Sequence, residues 1–158
     1  MESNKLLIGV QFNDERGVGI VMELIVLRDI TLRQLLDGIQ YGLKKKCKEG
    51  VYQICVNIYN DCLRTIDSAG NFPKLTLTSY NNALIFQKDQ IGRLILKQED
   101  LRKKLYEIGF ITSTRIVFDC TQKYETYEVN TSNIIPAFNP NNKANTAIIF
   151  PEYNISTR

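Results

Sequence analysis

The sequence predicts an α+β fold in which a β-sheet grips a helix, and two observations support this. Residues 5–39 contain an extended stretch, a turn, a second extended stretch and then an amphipathic helix. The same order recurs in residues 74–108, at an offset of 69 residues that takes Lys5 to Lys74. Two β-hairpins that each lead into a helix favour this class, because a helix must bury its apolar stripe against a sheet face.

The first hairpin is predicted from residues 5–12 and 19–28, which are rich in β-branched and aliphatic side chains. Residues 13–17, with Asn13, Asp14 and Gly17, supply the turn. The second arm is apolar almost throughout residues 20–27, so we expect an interior strand that is covered on both faces for part of its length.

The first helix begins after Thr31. The Thr31 hydroxyl and the Gln34 side chain can form a capping box, and Ile30 can pack on Leu35 as a hydrophobic staple. Gly38 and Gly42 lie one turn apart, which fits either close approach of another backbone or tolerated weakness. Gly50 is the expected terminator. The predicted apolar stripe is Leu32, Leu35, Leu36, Ile39 and Leu43.

Residues 51–59 alternate in polarity and predict a half-buried strand, with Ile54 on its apolar face and Cys55 on the other. A long connection follows at residues 60–73, with room for a short strand at 62–66.

The second hairpin is predicted at residues 74–80 and 83–96, with its turn at residues 80–82 and a break near residues 88–90. Asp100 is expected to cap a second helix that Gly109 ends, with Leu101, Leu105 and Ile108 as its apolar positions. A last strand follows at residues 115–119, with Ile116 and Phe118 on one face.

Two regions are expected along the chain: a domain at residues 1–119 with an inserted segment around 60–96, and a tail at residues 120–158. The tail is rich in Asn, Thr and Pro but keeps apolar islands. It either packs back on its own domain, which we favour, or offers a strand to a partner by β-augmentation. One island contains Ile148, Ile149 and Phe150, which are candidate partner-binding residues.

The charge pattern offers a second set of candidates. The net charge of +3 is too small to predict a nucleic-acid partner, so none is expected. The lysine cluster falls near the end of the first helix, where cations complement the negative end of the helix dipole. The alternative is a protein-binding patch. The cluster comprises Lys44, Lys45, Lys46 and Lys48.

No catalytic, cofactor-binding or metal-binding residue is predicted. The chain contains no histidine, which removes the histidine-based routes to nucleophile activation and the usual zinc sites. The phosphate-binding and calcium-loop motifs are absent from the sequence. The four cysteines form no C-x-x-C pair, and the first residues lack the charged region and long apolar stretch of a signal peptide, so none is expected. We therefore expect reduced thiols and a cytoplasmic protein.

The closing residues carry a family resemblance. Residues 105–112 (LYEIGFIT) and 115–118 (RIVF) are similar to the ending of ubiquitin-like domains, where a short helical turn and Gly-Ile precede the final strand. With the hairpin and helix before them, they resemble a β-grasp fold: a mixed sheet on one main helix, here with a second hairpin-helix element and an extended C-terminal tail. The resemblance spans residues 5–119, and it is strongest to the YukD/EsaB family that accompanies type VII secretion systems of Gram-positive bacteria.

The resemblance implies a noncatalytic, cytosolic interaction or regulatory module. Its partner would be a larger secretion or assembly component, with peripheral contact to a membrane complex, bound through the exposed sheet face. The sequence ends in Ile155-Ser156-Thr157-Arg158 rather than Gly-Gly, which disfavours covalent tagging. The oligomeric state is left open.

Two other functions remain open. One is a phage or mobile-element structural protein whose tail reaches a neighbouring subunit. The other is a carboxylate-dependent nucleotide or nucleic-acid hydrolase that uses Lys or Arg. For the hydrolase, a carboxylate pair such as Glu99 and Asp100 could act as acid and base, but at a helix start the two are better explained as a cap.

Overall fold

The protein is a mixed α/β structure built on five strands and two main helices. The computed structural model describes residues 4–17, 19–79 and 94–121, together with three short strand segments at 127–128, 148–149 and 156–157. The five-stranded sheet and the helices agree with the predicted α+β class. The expectation of a single main helix is wrong, because two long helices follow one another. The elements in order are β1 (Lys5–Asn13), β2 (Gly19–Leu27), α1 (Leu32–Lys46), α2 (Glu49–Arg64), β3 (Thr65–Ile66), β4 (Asn71–Ser79), β5 (Leu94–Lys97), a 3₁₀ helix (Gln98–Arg102), α3 (Leu105–Ile108), β6 (Thr114–Asp119), β7 (Tyr127–Glu128), β8 (Ile148–Ile149) and β9 (Ser156–Thr157).

The main sheet has the strand order β5-β4-β6-β1-β2. Its central pair, β1 and β6, is parallel, with Val10 opposite Ile116, and the other neighbours are antiparallel. The short strands β8 and β9 pair with the free side of β2, and β7 pairs with β3 in a separate two-stranded sheet. These three segments of the C-terminal region thus pair with strands of the same chain.

The first hairpin is confirmed and runs in continuous register from Lys5 opposite Leu27 to Asn13 opposite Gly19. Its turn uses the Asp14 carboxylate, which accepts a hydrogen bond from the backbone N–H of Arg16 at 2.9 Å. Gly17 has φ +84°, in the left-handed region that a side chain would strain. The buried face of β2 carries Ile20, Met22, Leu24 and Val26.

The capping box of α1 is confirmed. Thr31 Oγ1 accepts a hydrogen bond from the Gln34 N–H at 3.1 Å, and Gln34 Oε1 accepts one from the Thr31 N–H at 2.9 Å. The predicted stripe is fully buried over all five of its residues. The helix ends at Lys46, however, and Gly50 lies inside α2 instead of terminating α1.

The strand predicted at residues 51–59 is wrong, because these residues form the middle of α2. The alternation misled because several β-branched residues fall at every second position. The buried residues of α2 recur at intervals of three and four, which is helical spacing. Cys55 is fully buried, so its assignment to the less apolar side is also wrong. The buried set is Cys55, Ile58, Tyr59, Cys62 and Leu63.

Both helices cover one face of the sheet, with α2 beside α1 and against β4, β6 and β1. Three rings hold this contact: Phe118 stacks on Phe12 at 4.8 Å and on Tyr59 at 5.3 Å between centroids. The Tyr59 hydroxyl donates a hydrogen bond to the Leu36 carbonyl of α1 at 2.9 Å. Gly38 and Gly42 are both buried in this double layer.

The second hairpin is confirmed as the antiparallel pair β4 and β5, but its predicted turn at residues 80–82 and the break near residues 88–90 lie outside the described residues. The prediction of a single second helix is wrong. Its sequence forms the 3₁₀ helix and the one-turn α3, since its apolar stripe is too sparse to hold a longer helix. Asp100 accepts a hydrogen bond from the N–H of Lys97, the residue before the 3₁₀ helix, and Gly109 ends α3 with φ +113° as predicted.

The final strand is confirmed as β6, with Ile116 and Phe118 fully buried on the core face. The short strand allowed at residues 62–66 is present only as β3.

The Thr31 cap leads to the first prediction. Thr31→Ala should lower the free energy of unfolding by about 1 kcal/mol, because a backbone N–H at the start of α1 loses its acceptor. Thr31→Ser is the matched control, since it keeps the hydroxyl and should stay close to wild type. Urea unfolding of both variants measures this, and equal midpoints for the alanine and serine variants would contradict the role of the cap.

A buried carboxylate on α1 leads to the second prediction. Asp37 is 3% exposed, and burial raises its pKa from 3.8 to about 6, although the Arg33 charge opposes the rise. The folded state therefore binds the Asp37 proton more tightly than the unfolded state. Its ionisation costs stability above the folded pKa, and this cost disappears as the pH falls below the unfolded value.

Asp37→Asn should therefore be more stable than wild type by about 1–3 kcal/mol at pH 7.5, and the difference should vanish near pH 4. Urea unfolding at both pH values measures this. The control is Asp29→Asn, which removes an exposed carboxylate by the same change and should show no such pH-dependent gain. A less stable Asp37→Asn variant at pH 7.5 would contradict the prediction.

Candidate functional site

The predicted lysine cluster surrounds the junction between α1 and α2. Lys44 and Lys45 are exposed in the last turn of α1, Lys46 is the last residue of that helix, and Lys48 is exposed at the position before α2. Lys45 Nζ lies 5.0 Å from the centre of the Tyr41 ring, a cation–π contact. This placement suits both explanations of the cluster, charge complementation at the helix end and a binding patch.

The predicted apolar island lies elsewhere. Ile148 and Ile149 form β8 opposite Val26 and Ile25, near the end of β2, and Phe150 lies outside the described residues. Because β2 leads into the start of α1, the island and the lysine cluster lie near opposite ends of that 15-residue helix, roughly 22 Å long. The structure therefore does not bring the two sets of candidate residues together.

The face of the sheet that points away from the helices carries a different feature. Along β1, Leu6 and Ile8 point into the core, so Leu7 points outward, where it is 42% exposed. It borders a hollow of about 260 Å³. The described residues that line this hollow, which we call the Leu7 hollow, are Leu7, Ile8, Glu23, Thr112 and Ser113.

The turn before β6 builds one wall of the Leu7 hollow. The Ser113 N–H donates a hydrogen bond to the Leu7 carbonyl at 3.0 Å, and Thr112 Oγ1 accepts one from the Leu7 N–H at 3.3 Å. Ser113 has φ +85°, a conformation that a residue with a side chain adopts only when its surroundings hold it there. The hydrogen bonds to Leu7 supply that hold.

Next to the Leu7 hollow, Gly9 leaves the sheet surface without a side chain. Gly9 pairs with Glu23 on one side and Arg115 on the other, so a position without a side chain lies between two charged residues. Arg115 donates a hydrogen bond to Gln11 Oε1 at 2.7 Å, whereas Glu23 is exposed at the rim of the hollow. An apolar floor with a carboxylate at its rim suits an apolar side chain that has a basic neighbour.

Sequence reasoning missed Leu7, although a signal was present. Leu6, Leu7 and Ile8 are three consecutive apolar residues in a strand, and alternation sends one of them away from the core.

A second cluster lies where α2 and β6 meet. Cys62 Sγ is 3.9 Å from Cys120 Sγ, and the Cys120 thiol donates to Asp61 Oδ2 at 3.3 Å. Lys74 Nζ contacts the same Asp61 oxygen at 2.9 Å, and an Arg64 nitrogen is 3.9 Å from the other carboxylate oxygen. The four side chains, which we call the Cys62–Cys120 cluster, are Cys62, Cys120, Asp61 and Lys74.

Burial and charge shift the pKa values in this cluster in different directions. Burial raises the pKa of the Cys62 thiol, and the hydrogen bond with Cys120 adds to the rise. Burial also acts to raise the pKa of Asp61, but hydrogen bonds from Lys74 and Cys120 outweigh it and lower that pKa. For Lys74, burial is outweighed by the Asp61 contact, so its pKa is raised. The Asp61–Lys74 pair is thus charged at neutral pH.

The cluster could not be found from spacing, because Cys62 and Cys120 are 58 residues apart. Within the described ranges, no group of three or more histidine, cysteine or acidic side chains is arranged to hold a metal ion.

Among the described residues, no helix is both long and apolar enough to cross a membrane. Comparisons with protein-family models, with curated proteins and with solved structures gave no match.

Proposed function

We propose that this chain is a noncatalytic protein-interaction module with a β-grasp fold. The strand order supports the fold: a hairpin and helix come first, and the last strand of the domain inserts in parallel beside the first. A helix held against the inner face of such a sheet is the arrangement that the ubiquitin-like resemblance implies. The second helix α2 is an addition to that plan.

The family resemblance implies a more specific role. The chain would act in the cytoplasm as an accessory of a type VII-like secretion system, bound to a larger component at the membrane complex. The support is the β-grasp strand order together with the residues of α3 and β6 that carry the resemblance. The roles of Lys44, Lys45, Lys46, Lys48, Ile148, Ile149 and Phe150 in binding stay predictions.

The observation that carries the binding proposal is the Leu7 hollow. Both helices lie on the inner face of the sheet. On the outer face Gln11, Thr76 and Val117 are buried, so the part of this face that is open to a partner is at the Leu7 end of β1. Leu7 is exposed there on the strand that pairs with both β2 and β6. Covering such a side chain is worth about 1–2 kcal/mol, which makes it a suitable anchor for an interface.

The hollow also suggests the chemistry of its occupant. Its lining offers apolar contact from the exposed Leu7 side chain and a carboxylate from Glu23 at the rim. We infer that the partner is a protein segment that inserts an apolar side chain and places a lysine or arginine beside Glu23.

A matched pair of variants tests this proposal. Leu7→Ser removes the exposed side chain at the hollow, and Ile54→Ser removes one of similar exposure, 48%, on α2. The experiment is crosslinking and capture from the source cell, followed by affinity measurement with the purified captured protein. Leu7→Ser should weaken binding by about tenfold or more, because an anchor residue typically contributes over 1 kcal/mol, while Ile54→Ser should bind like wild type.

Circular dichroism and urea unfolding of both variants establish that they are folded. Equal affinity of Leu7→Ser and wild type would remove the Leu7 hollow from the interface. Weakening by Ile54→Ser alone would place the interface on α2 instead.

A further inference from the structure

We propose that Cys62 and Cys120 are a redox-active pair that forms a reversible disulfide when a hydroperoxide oxidises the protein. The disulfide would join the last turn of α2 to the residue that follows β6. This is a modification site separate from the Leu7 hollow, and it does not depend on the interaction function.

The geometry of the two thiols carries the proposal. Their sulfurs are 3.9 Å apart, and a disulfide bond of about 2.05 Å requires them to approach by roughly 1.9 Å. Neither residue lies on a loose loop: Cys62 is in α2, and the Cys120 N–H donates to the Asn13 carbonyl at 2.9 Å. The fold therefore holds the pair close before any oxidation takes place.

The two thiols differ in access, which assigns their roles. Cys62 is fully buried, whereas Cys120 is partly exposed at the end of β6. A small oxidant can therefore reach Cys120 first, and Cys62 is placed to attack the oxidised sulfur. This is the arrangement of a reactive cysteine beside a resolving cysteine.

Charged side chains surround the two thiols. Lys74 and Arg64 carry two positive charges around the single negative charge of Asp61. Lys74 is also close enough to both thiols for their charges to bear on its pKa. The Cys120 thiol donates its proton to a hydrogen bond with Asp61 Oδ2 at 3.3 Å, so a proton acceptor lies beside the sulfur that the oxidant reaches first.

The chemistry balances with one hydroperoxide for each disulfide. The Cys120 sulfur attacks a peroxide oxygen, the O–O bond breaks, and the thiol proton leaves with the departing oxygen. With hydrogen peroxide, the products are a sulfenic acid and water. Cys62 then forms the S–S bond, and its proton leaves with the hydroxyl group as a second water. The two sulfurs lose two electrons to the peroxide, and two equivalents of a small thiol can return them by exchange.

The test oxidises the reduced full-length protein with hydrogen peroxide and maps its disulfides under non-reducing conditions. The intact mass should fall by two hydrogen atoms, and a single linked peptide pair should contain Cys62 and Cys120. The melting temperature should rise by ~10 °C, because the bond closes a long loop in the unfolded chain. Dithiothreitol should reverse both changes.

The double variant Cys47→Ala, Cys55→Ala keeps the proposed pair and is the matched control, so it should give the same linked peptides. Cys62→Ala should instead add oxygen atoms at Cys120, because no resolving thiol remains. Should the control variant fail to fold, the peptide map of the wild type still decides. A link through Cys47 or Cys55, a link between two chains, or oxygen addition without loss of hydrogen in wild type would overturn the proposal.

Discussion

The parallel pairing of β1 with β6 is the constraint on which the rest of the structure depends. Residues 9–13 pair with residues 115–119, so the first and last strands of the domain meet at the centre of the sheet. Parallel neighbours cannot be joined by a tight turn, so the chain between them must include a connection that crosses over the sheet. Here the crossing chain supplies both helices and the hairpin of β4 and β5, which then pairs with the free side of β6. The stack of Phe12 on Phe118 lies on this central pair and joins it to the helices.

The second helix changes what the sheet has to accommodate. One helix on five strands would leave the inner face of β4 and β6 open, and α2 covers that area beside α1. This explains why α1 is buried beyond its apolar stripe, with Gly38 and Gly42 inside and a hydrogen bond from Tyr59 to Leu36 between the helices. It also explains how a carboxylate such as Asp37 comes to be buried, since Asp37 lies close enough to Tyr59 of α2 for its charge to raise the pKa of that hydroxyl.

Much of this was predictable, and the failures have identifiable physical causes. The capping box at Thr31, the apolar stripe of α1 and the first hairpin depend on local chemistry, and local chemistry can be read from neighbouring residues. Residues 51–59 fit both periods over a short window, and only the later positions Cys62 and Leu63 decide for a helix. The 69-residue repeat predicted a second helix. A repeated spacing does not guarantee that a segment has enough apolar residues to hold a long helix against the core. Leu101, Leu105 and Ile108 are sufficient only for the 3₁₀ helix and the single turn of α3. The Cys62–Cys120 cluster needed the correct helix and the parallel pairing together, so spacing along the sequence could not reveal it.

Strand β6 runs between the Leu7 hollow and the Cys62–Cys120 cluster, which are separate sites. The turn before it, at Thr112 and Ser113, forms a wall of the Leu7 hollow, and Cys120 follows its last residue, roughly 20 Å further along. The hollow opens on the outer face, whereas Cys62 is buried against the core from α2. A disulfide at Cys62 and Cys120 therefore cannot block a partner at Leu7 by direct contact. Any influence of oxidation on binding would have to act through the stability of β6 and of its pairing with β1, because these are what the two sites share.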